Sequence, residues 1–288
     1  MLNPVIFVSY HNNVPPLEQP LFRLLHVGNA LKGSMSKDDL SDVAHVNNKT
    51  SYELISDDTG ENISKKNREF CEMTGVYWIW KNIDNFKNYT HIGHMQYRRH
   101  FFLDKKIYDQ YPDNIEKVSY SCVHFRNKIK QTYFAQIGLS ELNLKKILSD
   151  HEGILPLSGD FSPLGISNLW EDYLERIPGV HIDDLVELRK ILLADFPEFS
   201  KKFDDYLEKN KKIMYQMFVL TKEDFIKYCN FIFPILFKLE RNLNVDRYSI
   251  NGKRTIGYLA ELLYGCYFNE EKKNRKFFET GITFLENI

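Results

Sequence analysis

Val5-Ile-Phe-Val-Ser9 is a short apolar, β-branched run bounded by Pro4 and by His11-Asn-Asn-Val-Pro-Pro16, the pattern of a buried strand that runs into a loop. Ligands of α/β sheets bind at the carboxyl ends of strands, so Tyr10, His11, Asn12 and Asn13 are the first candidates for ligand contact, with an ordinary surface turn as the alternative. Asp57-Asp-Thr-Gly60 reads as a turn. Beyond it, Phe70, Met73, Tyr77 and Trp80 recur at helical spacing within 67–82, and Val76, Ile79 and Ile83 form a second strip beside them. A helix apolar over that much of its surface is buried, and Glu72 lies within it. Such a carboxylate needs a partner, either a core arginine or a ligand. A strand is expected over 89–95, with Arg98 and Arg99 just past its end, and Pro156, Pro163 and Gly165 punctuate a loop. From Trp170 onward the periodicity is mostly helical, over 183–196, 201–209, 221–242 and 254–268, with 213–220 as the one expected strand in that half. The pattern describes a single α/β domain over 1–288, with an α/β part over 1–160 and a helix-rich part over 161–288.

Composition narrows the classes. The 288 residues are 43% hydrophobic, 14% aromatic and 27% charged, ordinary for a globular chain. A formal net charge of -1 argues against general nucleic-acid binding, which depends on a strong positive field. The longest apolar stretch, 225–239, is interrupted by Lys227, Asn230, Pro234 and Lys238, so no membrane span is expected, and the amino terminus has no basic leader ahead of an apolar core. Cys71, Cys122, Cys229 and Cys266 are dispersed, with no C-x-x-C pair. A cytoplasmic protein is the expectation. No P-loop, H-E-x-x-H or two-metal carboxylate cluster is present, which weighs against a phosphotransferase or nuclease.

The most specific signal is three ordered blocks: Asp57-Asp-Thr-Gly-Glu-Asn-Ile-Ser64, Asn67-Arg-Glu-Phe-Cys-Glu-Met-Thr-Gly-Val-Tyr-Trp-Ile-Trp-Lys-Asn82 and His91-Ile-Gly-His-Met-Gln-Tyr-Arg-Arg-His-Phe101. Together they resemble the capsular and exopolysaccharide biosynthesis glycosyltransferases long catalogued as a domain of unknown function. The family pattern is D-D-T-G-x-N-I-S, N-x-x-Y-C-E-L-T-x-x-Y-W-x-W-K-N and Y-I-G-L-x-H-Y-R-R-Y-F. Looser similarity continues through Gly153-Ile-Leu-Pro156, Pro178-Gly-Val-His-Ile-Asp-Asp184, Tyr215-Gln-Met-Phe218 and Arg254-Thr-Ile-Gly-Tyr-Leu-Ala-Glu261. The chain departs from the pattern where Gln96 replaces histidine, Gln216 replaces asparagine and Leu262 replaces arginine.

The resemblance implies a GT-A-like (Rossmann-like) mixed sheet that binds a nucleotide-sugar, with a helix-rich C-terminal half. It also implies transfer of a hexose from a nucleoside-diphosphate donor, UDP-linked galactose being the first candidate, to a bacterial surface polysaccharide. In many GT-A transferases the end of the equivalent strand carries a D-x-D that holds a metal on the diphosphate; here it carries Gln96-Tyr-Arg-Arg-His100. Guanidiniums neutralise phosphate by charge-assisted, often bidentate bonds, so Arg98 and Arg99 are expected on the diphosphate, one of them pairing with Glu72 or Asp58 in the alternative. The donor-side candidates are Tyr10, His11, Asp57, Asp58, Asn62, Glu72, Gln96, Tyr97, Arg98, Arg99 and Arg254. For Asp57 and Asp58, turn chemistry is the competing role.

Arg254 and Glu261 stand two helical turns apart and project to one side. Glu261, His181 and Asp184 are the catalytic candidates on the acceptor side. His91, His94 and His100 alternate across a strand and define no metal site, so transfer without a resident metal is favoured, with Mg2+ or Mn2+ as an optional assistant. The partners implied are the donor and a glycan acceptor, lipid-linked in many such pathways. The mixed cation and aromatic run 272–278 is either a solvated helix end or a peripheral contact at the inner face of the membrane. A non-catalytic carbohydrate- or nucleotide-binding component of a polysaccharide assembly is the competing function.

Overall fold

A computed structural model describes residues 2–11, 17, 19–34, 54–126 and 132–286. Asn12 and Asn13 lie outside the described residues. The strands are β1 (Pro4–Tyr10), β2 (Phe22–His26), β3 (Leu54–Ser56), β4 (His91–Gln96), β5 (Arg99–Phe101), β6 (Cys122–Phe125), β7 (Gly153–Pro156), β8 (Gly159–Asp160), β9 (Lys211–Lys212), β10 (Phe218–Thr221), β11 (Phe277–Thr280) and β12 (Ile282–Leu285). The main sheet runs β11-β7-β10-β4-β1-β2-β3, with β5, β6 and β12 attached beside β4. β1 pairs in parallel with β2 and β4, β2 with β3, and β7 with β11, while β10 is antiparallel to both neighbours.

Every residue of β1 is buried. Val5 and Phe7 join one apolar core, and Ile6, Val8 and Tyr10 join the other, so the strand alternates between two covered faces. The parallel strands β1 to β4 bring their carboxyl ends to one edge, where Tyr10, His26, Ser56 and Gln96 end the strands.

The second half is rich in helices, at Leu169–Arg176, Ile182–Asp195, Pro197–Leu207, Lys222–Asn242 and Thr255–Glu271. The fold is a mixed α/β one with a helix-rich C-terminal half, as the sequence leads one to expect. Three local expectations change. The helix expected through 67–82 is two helices, Asn67–Phe70 and Met73–Lys81, because Cys71 turns to φ 52° between them. Of the strand expected over 213–220, only its end is strand, since Tyr215 and Gln216 take left-handed conformations at φ 71° and 51°. The run 272–278 does not continue the helix, and three of its four cations are ion-paired while Lys276 is exposed. Phe277 opens β11, Lys272 pairs with Glu279 (2.6 Å), Lys273 pairs with Glu270 (2.7 Å), and Arg275 is shared by Glu152, Asp224 and Glu271. Among the described residues no helix is long and apolar enough to cross a membrane.

Candidate functional site

The edge where β1 to β4 end is organised by the Asp57-Asp-Thr-Gly60 turn. Asp57 is fully buried, and its carboxylate accepts from Gly28 N (2.9 Å), Asn29 N (3.2 Å) and Ser64 Oγ (2.5 Å). Those donors consume the carboxylate, so turn chemistry prevails at Asp57 over the expected donor contact. Asp58 is half-buried. Burial opposes its ionisation, yet hydrogen bonds from Ser56 and Asn29 hold its carboxyl below the usual range. Asn62 spends its amide on Gly60 O and Ser64 N within the same turn. The aromatic helix braces this turn from behind, through Trp78 Nε1 to Thr59 O (2.8 Å) and the Tyr77 hydroxyl to Glu61 (2.9 Å).

On β1, Tyr10 is buried with its ring 5.0 Å from that of His26, which assigns the side chain to the core rather than to a ligand. His11 is exposed, has its ring 5.5 Å from that of Tyr97, and stands within electrostatic reach of Arg98 and Arg254.

The two arginines after β4 part company. Arg98 donates from Nε to Leu285 O (2.9 Å) and from Nη2 to Glu286 O (3.0 Å), and it covers Phe284, tying the last strand to the sheet. Arg99 donates to Gln96 Oε1 (2.7 Å) and is held between the rings of Tyr215 (4.8 Å) and Phe284 (4.9 Å). Gln96 in turn donates to Glu72 Oε1 (3.2 Å) and Tyr215 O (3.1 Å). Because the helix breaks at Cys71, Glu72 caps the Met73–Lys81 helix and joins this cluster instead of lying inside a helix barrel. Burial first, then the charge of Glu261, raises its carboxyl above the ordinary range against the pull of Arg254 and Arg99.

The Thr255–Glu271 helix supplies the other wall. Exposed Arg254 donates to Cys71 Sγ (3.3 Å) and lies over Tyr258 (5.2 Å). The helix approaches so closely that a Cβ at Gly257 would lie 2.8 Å from Cys71 Sγ. Glu261 accepts from Tyr215 N (2.8 Å) and pairs with Lys212 Nζ (3.3 Å). Lys212 is buried, and its second partner is buried Asp172 at 2.7 Å. Burial opposes its charge, but Glu261 and Asp172 hold the ammonium above its ordinary range. The structure thus brings Glu72, Gln96, Arg99, Arg254 and Glu261 together.

It does not bring Asp184 to an open position. Asp184 is fully buried and accepts from Tyr248, Thr255 Oγ1 (2.7 Å) and the His181 backbone N–H (3.3 Å). A closed carboxylate with three donors has no approach for an acceptor hydroxyl, so it anchors the start of the helix that carries Glu261 in place of the expected base role. His181 is the exposed cap of its own helix, with its ring 4.6 Å from that of Tyr248. Sequence reasoning missed Cys71, Tyr215, Asp172 and Lys212. Lys211-Lys212 looks like a solvated pair, and only the three-dimensional neighbours reveal one member as buried.

Among the described residues no group of three His, Cys, Asp or Glu side chains is placed to hold a metal ion. Glu261 is committed to an ammonium and a backbone N–H, and Glu72 faces guanidiniums, a donor set that does not suit Mg2+ or Mn2+. The histidines of β4 and β5 do not converge. His94 donates from Nδ1 to Gln216 O (2.9 Å), which leaves Nε2 to accept from the Ser9 hydroxyl (2.9 Å), while His100 Nδ1 meets the Tyr133 hydroxyl (2.8 Å).

Burial pushes His94 down to about 4 and His100 down to about 3, from an ordinary 6.5. Both rings are neutral when folded, so below pH 6.5 the unfolded chain binds more protons, and stability falls as the pH drops from 6.5 toward those lowered values. The expected loss is on the order of 2 kcal/mol per histidine by about pH 5. Urea denaturation at a series of pH values measures it, and a midpoint that stays flat down to pH 5 contradicts it.

Residues 5–273 match the family model described as "Domain of unknown function (DUF4422)". The chain belongs to that family. A solved structure of the apo form of WbbM, a bifunctional glycosyltransferase, is similar to this member of the DUF4422 family, with a TM-score of 0.81 and 28% identity over 99% of this chain. The DUF4422 chain spans 46% of that longer one. No curated protein matches the sequence.

Proposed function

We propose that this protein is a glycosyltransferase that moves a hexose from a nucleoside-diphosphate sugar, UDP-galactose as the first candidate, to a growing bacterial surface polysaccharide. The observation that carries the reading is the convergence of Arg99 and Arg254 with Glu72 and Glu261 where β1 and β4 end. A neutral glycan has no need of two guanidiniums there, whereas a departing diphosphate does. The similarity to WbbM supports glycosyl transfer, and the motif blocks support the polysaccharide class.

In this reading Arg99 and Arg254 neutralise the diphosphate without a divalent ion, His11, Asp58 and Tyr97 line the nucleoside side, and Arg98 keeps the C-terminal strand in place behind them. The acceptor is a glycan, carried on a lipid in the fullest form of the proposal.

A thermal-shift screen against UDP, GDP, CMP and their sugar conjugates, with and without Mn2+, tests it. Stabilisation by one nucleotide class is expected, about 2.7 kcal/mol at a hundredfold excess over Kd, lost in Arg99→Ala and unaffected by chelation. Well-folded protein that responds to none of these nucleotides points instead to a glycan-binding component, and a glycan array then identifies its ligand.

A further inference from the structure

The cleft holds two carboxylates in different surroundings, and groups in that position divide their roles. Glu261 is committed on both oxygens: Oε2 accepts the Tyr215 N–H at 2.8 Å, and Oε1 lies 3.3 Å from the buried Lys212 ammonium. It is a fixed anion. Among the described residues Glu72 has no ion pair, and its one side-chain hydrogen bond is from the neutral amide of Gln96, 3.2 Å from Oε1. It is also held in an uncommon place, since Cys71 at φ 52° and ψ -136° ends one helix and turns the next residue into the cap of the following one. Conformations of that kind in a non-glycine residue persist where the surroundings enforce them, and they gather at functional sites.

Resting on the glycosyltransferase reading, we propose that Glu72 is the general base of the transfer and that Glu261, anchored by Lys212 and the Tyr215 N–H, is the positioning residue beside it. The acceptor hydroxyl oxygen bonds to the anomeric carbon while the bond from that carbon to the diphosphate oxygen breaks. Its electron pair leaves with the nucleoside diphosphate, facing Arg99 and Arg254, and the hydroxyl proton passes to Glu72. One displacement inverts the anomeric centre.

The groups that face Glu72 set its titration. They are Glu261 and Tyr258 from the Thr255–Glu271 helix, Arg254 at the cap of that helix, Arg99 from β5, Gln96 from β4, Tyr228 from the Lys222–Asn242 helix and the adjoining Cys71. Burial and Glu261 favour the protonated carboxyl, so activity rises with pH through an acid limb set above the usual glutamate range.

The experiment compares wild type, Glu72→Gln, Glu72→Asp and Glu261→Gln with UDP-galactose, reading UDP release, product anomer and UDP affinity by calorimetry. Glu72→Gln is expected to lose about 10^2- to 10^4-fold in kcat while UDP affinity stays within a few-fold, because glutamine still accepts from Gln96. Glu72→Asp regains part of that loss. Glu261→Gln moves the acid limb to lower pH, since removal of the neighbouring negative charge eases ionisation of Glu72. Glu72→Gln that transfers at near wild-type rate, or a product of retained anomeric configuration, overturns the assignment while the glycosyltransferase reading stands. Wild-type protein that binds none of UDP, GDP and CMP and releases no nucleotide from their sugar conjugates overturns both.

Discussion

Lys212→Met is expected to destabilise the protein by about 3–5 kcal/mol, the range for removing one partner of a buried ion pair. The ammonium is 5% exposed and bridges Asp172, 1% exposed, to Glu261 across two helices. Without it Asp172 keeps Arg176 as its cation, but Glu261 loses its ion partner beside an already crowded Glu72. The damage spreads along the backbone, because Glu261 also holds the N–H of Tyr215, which with Gln216 sits in a left-handed conformation that the chain does not adopt unaided. Tyr215 in turn forms one side of the Arg99 clamp. Urea denaturation of Lys212→Met measures the loss, and a double variant that adds Glu261→Gln is expected to recover part of it, since the amide removes the carboxylate left without an ion partner and still accepts the Tyr215 N–H, while Asp172 keeps Arg176. A single variant within about 0.5 kcal/mol of wild type removes the network from any account of how the cleft is held.

How much of this was legible in the sequence follows from the range of the interactions. β1 was legible because Val5 to Val8 form an unbroken apolar run of four and Pro4 marks its start. Four of the five helices of the second half were legible from their periodicity, with ends within a few residues of the structure apart from Pro197–Leu207, whose proline sits comfortably at the first turn, while Leu169–Arg176 was not singled out. The Asp57 turn was legible as a turn, but the bonds that consume its carboxylate come from Gly28 and Asn29, which only the pairing of β2 with β3 brings near.

The break at Cys71 left no mark, because the apolar spacing of Phe70, Met73 and Tyr77 continues through it and cysteine is no turn residue. Its cause is tertiary: Arg254 and Gly257 of a distant helix press on the thiol, which burial pushes up to about 11. The last two strands were hidden because 272–278 carries enough cations to look solvated, and the carboxylates that neutralise Arg275 arrive from Glu152 and Asp224. The adjacency of Arg98 and Arg99 was legible, but their separate partners, Leu285 and Glu286 for one and Gln96 for the other, were not.

That difference sets the second large effect. Arg99→Ala is expected to lower kcat/KM for the sugar donor by about 10^2- to 10^3-fold, the usual result of deleting one preorganised donor to a developing charge. Its guanidinium bonds the Gln96 amide oxygen and is stacked between Tyr215 and Phe284, an arrangement that fixes the plane of the fork before any ligand arrives. Arg99→Lys recovers little, because an ammonium neither stacks on both rings nor offers two parallel donors. Arg98→Ala follows another pattern. Its Nε and Nη2 already serve Leu285 O and Glu286 O, so its loss is expected to cost about 1.5–3 kcal/mol of stability through those bonds while kcat/KM of the folded fraction changes by less than about tenfold. Donor kinetics and denaturation midpoints of the three variants separate the two roles. Equal kinetic losses in Arg98→Ala and Arg99→Ala, at unchanged stability, place both guanidiniums on the diphosphate and require Arg98 to leave the C-terminal strand when the donor binds.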